Sequence, residues 1–239
     1  MKILKTSAGP FRERPYFSTD EIELTCSIEL NSVGLFPSSP SPIRIERYIE
    51  KRFGVTPDYE DLPEGTLGYT EFGAHGVNSI TISKKLTEEN TKVAERRINS
   101  TLAHEVGHGI FHSYLFALSN RREDPALFKH GIDSKKQKIL CRDEITTFEQ
   151  RSERSYDGRW WEYQANSTIG ALLLPRELVY QSLKPVMTLR GALGSYLIEL
   201  NLRERAIEML VDTFDVNAAV ARIRLQELFA VTSNQQLTF

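Results

Sequence analysis

His104-Glu105-Val106-Gly107-His108 decides how the rest of the chain is read, because it matches the pattern H-E-x-x-H within a segment of helical character. Residues four apart on an α-helix lie one above the other on the same face, with Cβ atoms roughly 5–6 Å apart. Two imidazoles so placed can grip one ion. Glu105 stands one step round the helix from His104, beside such an ion and not on it, where a carboxylate can accept a proton from water. With five histidines in the chain, the pattern arises by chance in roughly one such sequence per hundred, so its context has to support it.

Two histidines leave a tetrahedral ion one protein ligand short, since catalytic zinc usually takes three and keeps a position for water. His112 continues the series but lies about 12 Å along the axis from His104, too far for all three to share one ion on a straight helix. The longer pattern H-E-x-x-H-x-x-G-x-x-H fails, because Phe111 stands at its glycine and Tyr114 at its third histidine. A carboxylate from a second helix remains. The candidate third ligand is Glu162 in Trp160-Trp161-Glu162-Tyr163-Gln164-Ala165-Asn166, which opens an apolar stretch ending at Leu172-Leu173-Leu174-Pro175. His112, Glu144 and Cys141 are next in line should Glu162 fail. Asn166, one turn beyond Glu162, can orient a ligand imidazole as an acceptor, or simply occupy a helix surface.

These residues carry a family likeness. Ser100-Thr101-Leu102-Ala103-His104-Glu105-Val106-Gly107-His108, then His112, Glu162-Tyr163-Gln164-Ala165-Asn166 and Leu172-Leu173-Leu174-Pro175 resemble the ImmA/IrrE family of bacterial and phage metallopeptidases. Upstream, Pro42-Ile43-Arg44-Ile45-Glu46 opens a helix, and Asn78-Ser79-Ile80-Thr81-Ile82 looks like the family's strand before the active helix. The resemblance covers roughly residues 42–180. It implies that His104, His108 and Glu162 bind zinc, that Glu105 is the general base, and that the substrate is a repressor or other regulatory protein. The linker between His108 and Glu162 is longer than expected and carries a charged stretch.

At 239 residues and 27.3 kDa the chain can bury a sizeable core, as one elaborated domain or two small ones. A net charge of −2 and a pI near 6.3 give no general pull toward nucleic acid or an anionic membrane. The first ten residues are too short and polar for a signal-peptide core, and no run approaches the ~20 apolar residues of a membrane span, so a cytoplasmic location is expected. Cys26 and Cys141 form no C-x-x-C pair and read as packing residues.

Three regions follow: an N-terminal segment 1–41, a zinc-peptidase domain 42–185 and a helical C-terminal region 186–239. Residues 1–18 read as extended chain over the surface. Residues 21–33 favour a helix capped by Ser18-Thr19-Asp20. Ser41 and Pro42 predict the cap and first turn of a helix ending at Gly54, with Tyr48, Ile49 and Phe53 as its buried stripe. Residues 67–72 and 77–82 flank Gly73-Ala74-His75-Gly76 and predict a hairpin. Thr87-Glu88-Glu89 caps a helical segment leading into an active helix from about Asn99 to Phe116. Gly107 and Gly109 within it point to close packing. Residues 119–159 read as polar surface with a possible strand at 139–142. Residues 205–211 and 218–229, joined by Asp215-Val216-Asn217, resemble a helix-turn-helix in which Arg222 and Arg224 could meet phosphates. Acidic residues offset the arginines there, which argues against DNA binding.

The fold class expected is therefore α+β: mostly helical, with a small sheet packed on the active helix and a helical C-terminal tail. The expected function is a zinc endopeptidase acting on a protein partner, with Glu105 moving the proton. A non-catalytic zinc-containing regulator is the alternative, and a DNA-binding regulator with a vestigial site is a third. Oxyanion stabilisers could come from His75, His112, Tyr114, Tyr163 or Arg159. Ile80, Thr81 and Ile82 are expected to form an edge strand that pairs with extended substrate. Arg121 to Arg154, with Lys135, Lys136 and Lys138, and the helical tail would then select the partner.

Overall fold

Buried residues run without interruption from Ser100 to Gly109, so the motif helix is enclosed on all sides and the rest of the fold is arranged around it. The computed structural model describes residues 2–5, 13–73, 75–119, 132–133, 138–142, 160–190 and 195–229. In chain order the elements are β1 (Lys2–Lys5), β2 (Glu13–Tyr16), α1 (Thr19–Ser32), α2 (Ile45–Phe53), β3 (Asp58–Glu60), β4 (Thr66–Gly73), β5 (Gly76–Ser83) and α3 (Lys85–Glu88). Next come α4 (Lys92–Ser119), β6 (Ile132–Asp133), β7 (Lys138–Arg142), α5 (Trp160–Leu173), α6 (Arg176–Leu183), β8 (Thr188–Arg190), β9 (Ser195–Leu197), α7 (Arg203–Phe214) and α8 (Ala218–Leu228). The fold is α+β and mostly helical. Its main sheet has the order β3-β5-β4-β7-β6, and β1-β2 and β8-β9 form separate antiparallel pairs.

Local chemistry accounts for most boundaries, including those that differ from expectation. Ser18 caps α1 reciprocally: its hydroxyl accepts from Glu21 N–H at 3.3 Å and its own N–H donates to the Glu21 carboxylate at 2.9 Å. The helix expected from Ser41 and Pro42 starts instead at Ile45. Ser41 Oγ donates to the Ser39 carbonyl, and extended chain here lets Ile43 and Ile45, two residues apart, both enter the core. Gly54, at φ 72°, ends α2 in the left-handed region. The motif helix starts at Lys92, earlier than Asn99, because Thr91 Oγ1 accepts from Ala94 N–H at 3.1 Å. Thr87, expected to cap it, donates to the Lys84 carbonyl within the single turn α3, and Asn90 at φ 44° separates the two helices. Residues 2–5 and 13–16, expected as extended chain over the surface, pair antiparallel from Lys2↔Tyr16 to Lys5↔Glu13.

β4 and β5 form the expected hairpin. The sheet packs on one side of α4 and α5 runs along another. A Cβ on Gly107 would stand 3.0 Å from Ala165 Cα and from Thr168 Cβ of α5, and one on Gly109 would meet the Phe53 ring of α2 at 2.7 Å. Both glycines therefore serve close packing. One apolar cluster joins Ile22 and Leu30 of α1, Leu102 and Val106 of α4, Leu172 of α5, Leu210 of α7 and Leu225 of α8.

Arg224 is buried, where the sequence reading offered it to phosphates. It pairs with Glu23 of α1 and donates Nε to the Leu174 carbonyl at 3.0 Å. Arg222 stays exposed, 3.6 Å from Glu204. Among the described residues no helix is long and apolar enough to cross a membrane.

Candidate metal centre

The helical spacing of the motif brings His104 Nε2 and His108 Nε2 to 3.0 Å from each other on buried rings of α4. α5 lies alongside, and its first turn places Glu162 Oε2 at 3.3 Å from His104 Nε2 and Oε1 at 3.6 Å from His108 Nε2. The three residues thus offer ligand atoms all within 4.8 Å of one another, a set able to hold a metal ion.

The far side of each imidazole is also engaged. His104 Nδ1 lies 3.0 Å from Asn166 Oδ1, which only accepts, so Nδ1 carries the proton and Nε2 keeps its lone pair for the centre. His108 Nδ1 lies 2.9 Å from His112 Nδ1. His112 Nε2 lies 2.9 Å from Gln164 Oε1, and Gln164 Nε2 donates to the Pro15 carbonyl at 2.8 Å.

Glu105 is fully buried beside the trio. Its Oε2 accepts from the Thr70 hydroxyl of β4 at 2.6 Å, while Oε1 has no hydrogen-bond partner. β4 approaches this carboxylate at Gly68, where a Cβ would stand 2.9 Å from the Thr81 carbonyl and 3.2 Å from Glu105 Oε1. Burial pushes the Glu105 carboxyl up to about 8, with Glu162 adding to the rise and both His104 and the Thr70 hydroxyl opposing it. A cation on the histidines would favour the carboxylate and bring that value down. Burial also holds His108 well below the usual imidazole range, with His104 and His112 adding to the effect. It takes His112 to about 3, against the opposing hydrogen bond that His112 makes to Gln164.

The expected trio, its base and Asn166 are therefore together. β3 covers the expected substrate strand from Thr81 to Ser83, so this part of it is not an edge. Thr81 and Ile82 pair with Asp58 and Tyr59 of β3 on one side, and with Tyr69 and Gly68 of β4 on the other. Thr81 and Ile82 are thus paired on both sides, and with Ile80 they are buried and build the support under α4. β3 escaped the sequence reading because Asp58-Tyr59-Glu60 is short and exposed, without apolar alternation.

Of the oxyanion candidates, His112 has both ring nitrogens engaged by His108 and Gln164. His75 sits exposed in the β4–β5 turn, beyond the end of β4. Tyr114 is exposed on α4, and Tyr163 lines a cavity of about 310 Å³ with Pro15, Phe17, Trp160 and Gln164. Cys26 is buried in the core, as expected. Cys141 and Lys138 lie in β7. Arg159, Glu144, Lys135, Lys136 and most of the segment from Arg121 to Arg154 lie outside the described residues.

The sequence matches no family model and no curated protein at a significant level. Among solved structures the chain is similar to a Mycobacterium tuberculosis transcriptional regulator, with a TM-score of 0.45 and 15% identity over 86% of this chain. The chain spans 55% of the length of that protein.

Proposed function

We propose that this chain is a cytoplasmic zinc-dependent endopeptidase of the ImmA/IrrE kind, acting on a specific protein partner. The observation that carries this reading is the convergence of two imidazole nitrogens and a carboxylate on one point, with a buried glutamate next to them. Donor separations of 3.0, 3.3 and 3.6 Å bracket the spacing of about 3.3 Å that zinc bonds of ~2.0–2.1 Å at a tetrahedral angle require. Among the described residues three protein ligands converge, and a trio that keeps a fourth position for water favours a catalytic over a closed structural site.

When bound, zinc supplies Lewis acidity that acidifies water and polarises a carbonyl. Glu105 takes the water proton and later returns it to the leaving nitrogen. Thr70 holds one oxygen of Glu105, which leaves the other free for that proton. His104 and His108 are kept in place by Asn166 and His112, and burial of the site keeps bulk water from competing. The resemblance supplies the partner class, a repressor or other regulatory protein.

The test pairs metal analysis with cleavage. Purified protein should carry about one zinc per chain, and His104→Ala, His108→Ala and Glu162→Ala should each lose it. Glu105→Gln should keep the metal and abolish cleavage of repressor-like proteins encoded beside this gene. Turnover by Glu105→Gln near the wild-type rate sinks the mechanism. Zinc-dependent partner binding without cleavage by the wild type would favour the regulator.

A further inference from the structure

We propose that His112, Gln164 and the backbone carbonyl of Pro15 form a directional hydrogen-bond relay that sets the tautomer of His108, tying strand β2 to the metal centre. The inference rests on the zinc reading above and assigns positioning roles to residues outside the ligand set.

The direction follows from the far end inward. A backbone carbonyl can only accept, so the Gln164 atom 2.8 Å from Pro15 O is its amide nitrogen. That turns Gln164 Oε1, also only an acceptor, toward His112 Nε2 at 2.9 Å, and this ring nitrogen must carry the proton. A neutral imidazole has one N–H, so His112 Nδ1 holds a lone pair. It faces His108 Nδ1 at 2.9 Å, which therefore donates. His108 is left with its Nε2 lone pair directed at His104 Nε2 and Glu162. Each contact admits one polarity once the first is fixed, and Pro15, 149 residues before Gln164, fixes the first.

Reversal would be costly to the centre. If the Gln164 amide turned over, its NH₂ would face His112 Nε2 and move that ring's proton to Nδ1. His108 would then accept at Nδ1, carry its own proton on Nε2 and be unable to ligate. Burial of both rings removes water as a substitute partner. β2 is thus part of the support of the centre.

The test uses the full chain and zinc alone. Gln164→Leu removes both ends of the amide, and zinc affinity measured by chelator competition should fall roughly 10–100-fold. The gap in melting temperature between zinc-loaded and chelator-treated protein should shrink with it, a change that a merely structural defect, acting on both forms alike, would not produce. Gln164→Glu, as the protonated acid, can still donate to the Pro15 carbonyl and accept from His112 Nε2, and should hold zinc within a few-fold of the wild type. A long-range proton–nitrogen spectrum of zinc-loaded wild type should place the proton on His112 Nε2 and on His108 Nδ1.

A His112 proton on Nδ1, or a Gln164→Leu affinity within twofold of wild type, overturns the relay and leaves the zinc reading standing. Wild-type protein that takes up no zinc overturns both. Should Gln164→Leu fail to fold, the wild-type tautomer spectrum decides alone.

Discussion

Thr70 reaches Glu105 from the sheet with a 2.6 Å hydrogen bond, and the same hydroxyl lies 3.2 Å from the Glu105 backbone carbonyl. Thr70→Val keeps the shape of the side chain and removes the hydroxyl. A hydrogen bond to a charged group contributes about 1.5–3 kcal/mol, so kcat should fall roughly 10–100-fold while zinc content stays at the wild-type value. Steady-state kinetics with metal analysis of the same samples checks this, and loss of metal would show that Thr70 supports the ligands instead. Spacing alone made His104, Glu105 and His108 legible, because two ligands four apart share a helix face. Glu162 and Asn166 were legible as one turn of a second helix. Thr70, Gln164 and Pro15 were not, since their contacts join residues 35 to 149 positions apart and leave no local signature.

At the scale of elements, the start of α4 is pinned from the far end of the chain. Asp215 ends α7 in the left-handed region at φ 55°, and its carboxylate accepts from Lys92 Nζ and Arg96 Nε, each at 2.8 Å. Burial would raise the Asp215 carboxyl, but these two hydrogen bonds outweigh it and hold the group below its usual value. A lowered folded value means that the contribution is present above the unfolded value near ~3.9 and is lost as pH falls through the folded one. Asp215→Asn retains tolerance of the left-handed backbone and loses the charge. Its melting temperature should lie below wild type at pH 7, and the gap should close as pH is lowered past 4. Partial exposure limits each pair to at most about 1 kcal/mol, so the gap is a few degrees. A gap that is constant with pH would assign the effect to the backbone. The hairpin and α1 were readable because turn glycines and a capping box are local. The starts of α2 and α4 were misread because tertiary burial of Ile43 and Ile45, and a cap at Thr91, overrode equally plausible caps nearby.

For the whole molecule, one core crosses both of the boundaries drawn at 41 and 185. Arg224 in α8 reaches Glu23 in α1 and the Leu174 carbonyl at the end of α5, and Gly170 is bare where its side chain passes, with a would-be Cβ 3.1 Å from Arg224 Cδ. Glu23→Gln removes one of the two carboxylates on a buried guanidinium, with Glu227 still 3.4 Å away, and should destabilise the fold by about 1–3 kcal/mol. Denaturant melts should show one cooperative transition in the wild type and a lower midpoint in the variant. Separate transitions for the tail and the rest would mean that the regions fold independently. Nothing local at Glu23 marks this partnership: it lies between Ile22 and Leu24 in an alternating stretch, and only the assembled helices make it an inside residue.

Gly107 sets how near α5 can come to α4, and hence how far the Glu162 carboxylate stands from the two imidazoles. A methyl group there would force α5 back by a few tenths of an ångström. The donor triangle would widen while its chemistry stayed the same. Ionic radius then becomes the sensitive quantity: Gly107→Ala should weaken zinc more than cadmium, a larger ion of the same charge and shape preference. In this reading the choice of metal is written in the spacing of two helices, by a residue that touches no metal.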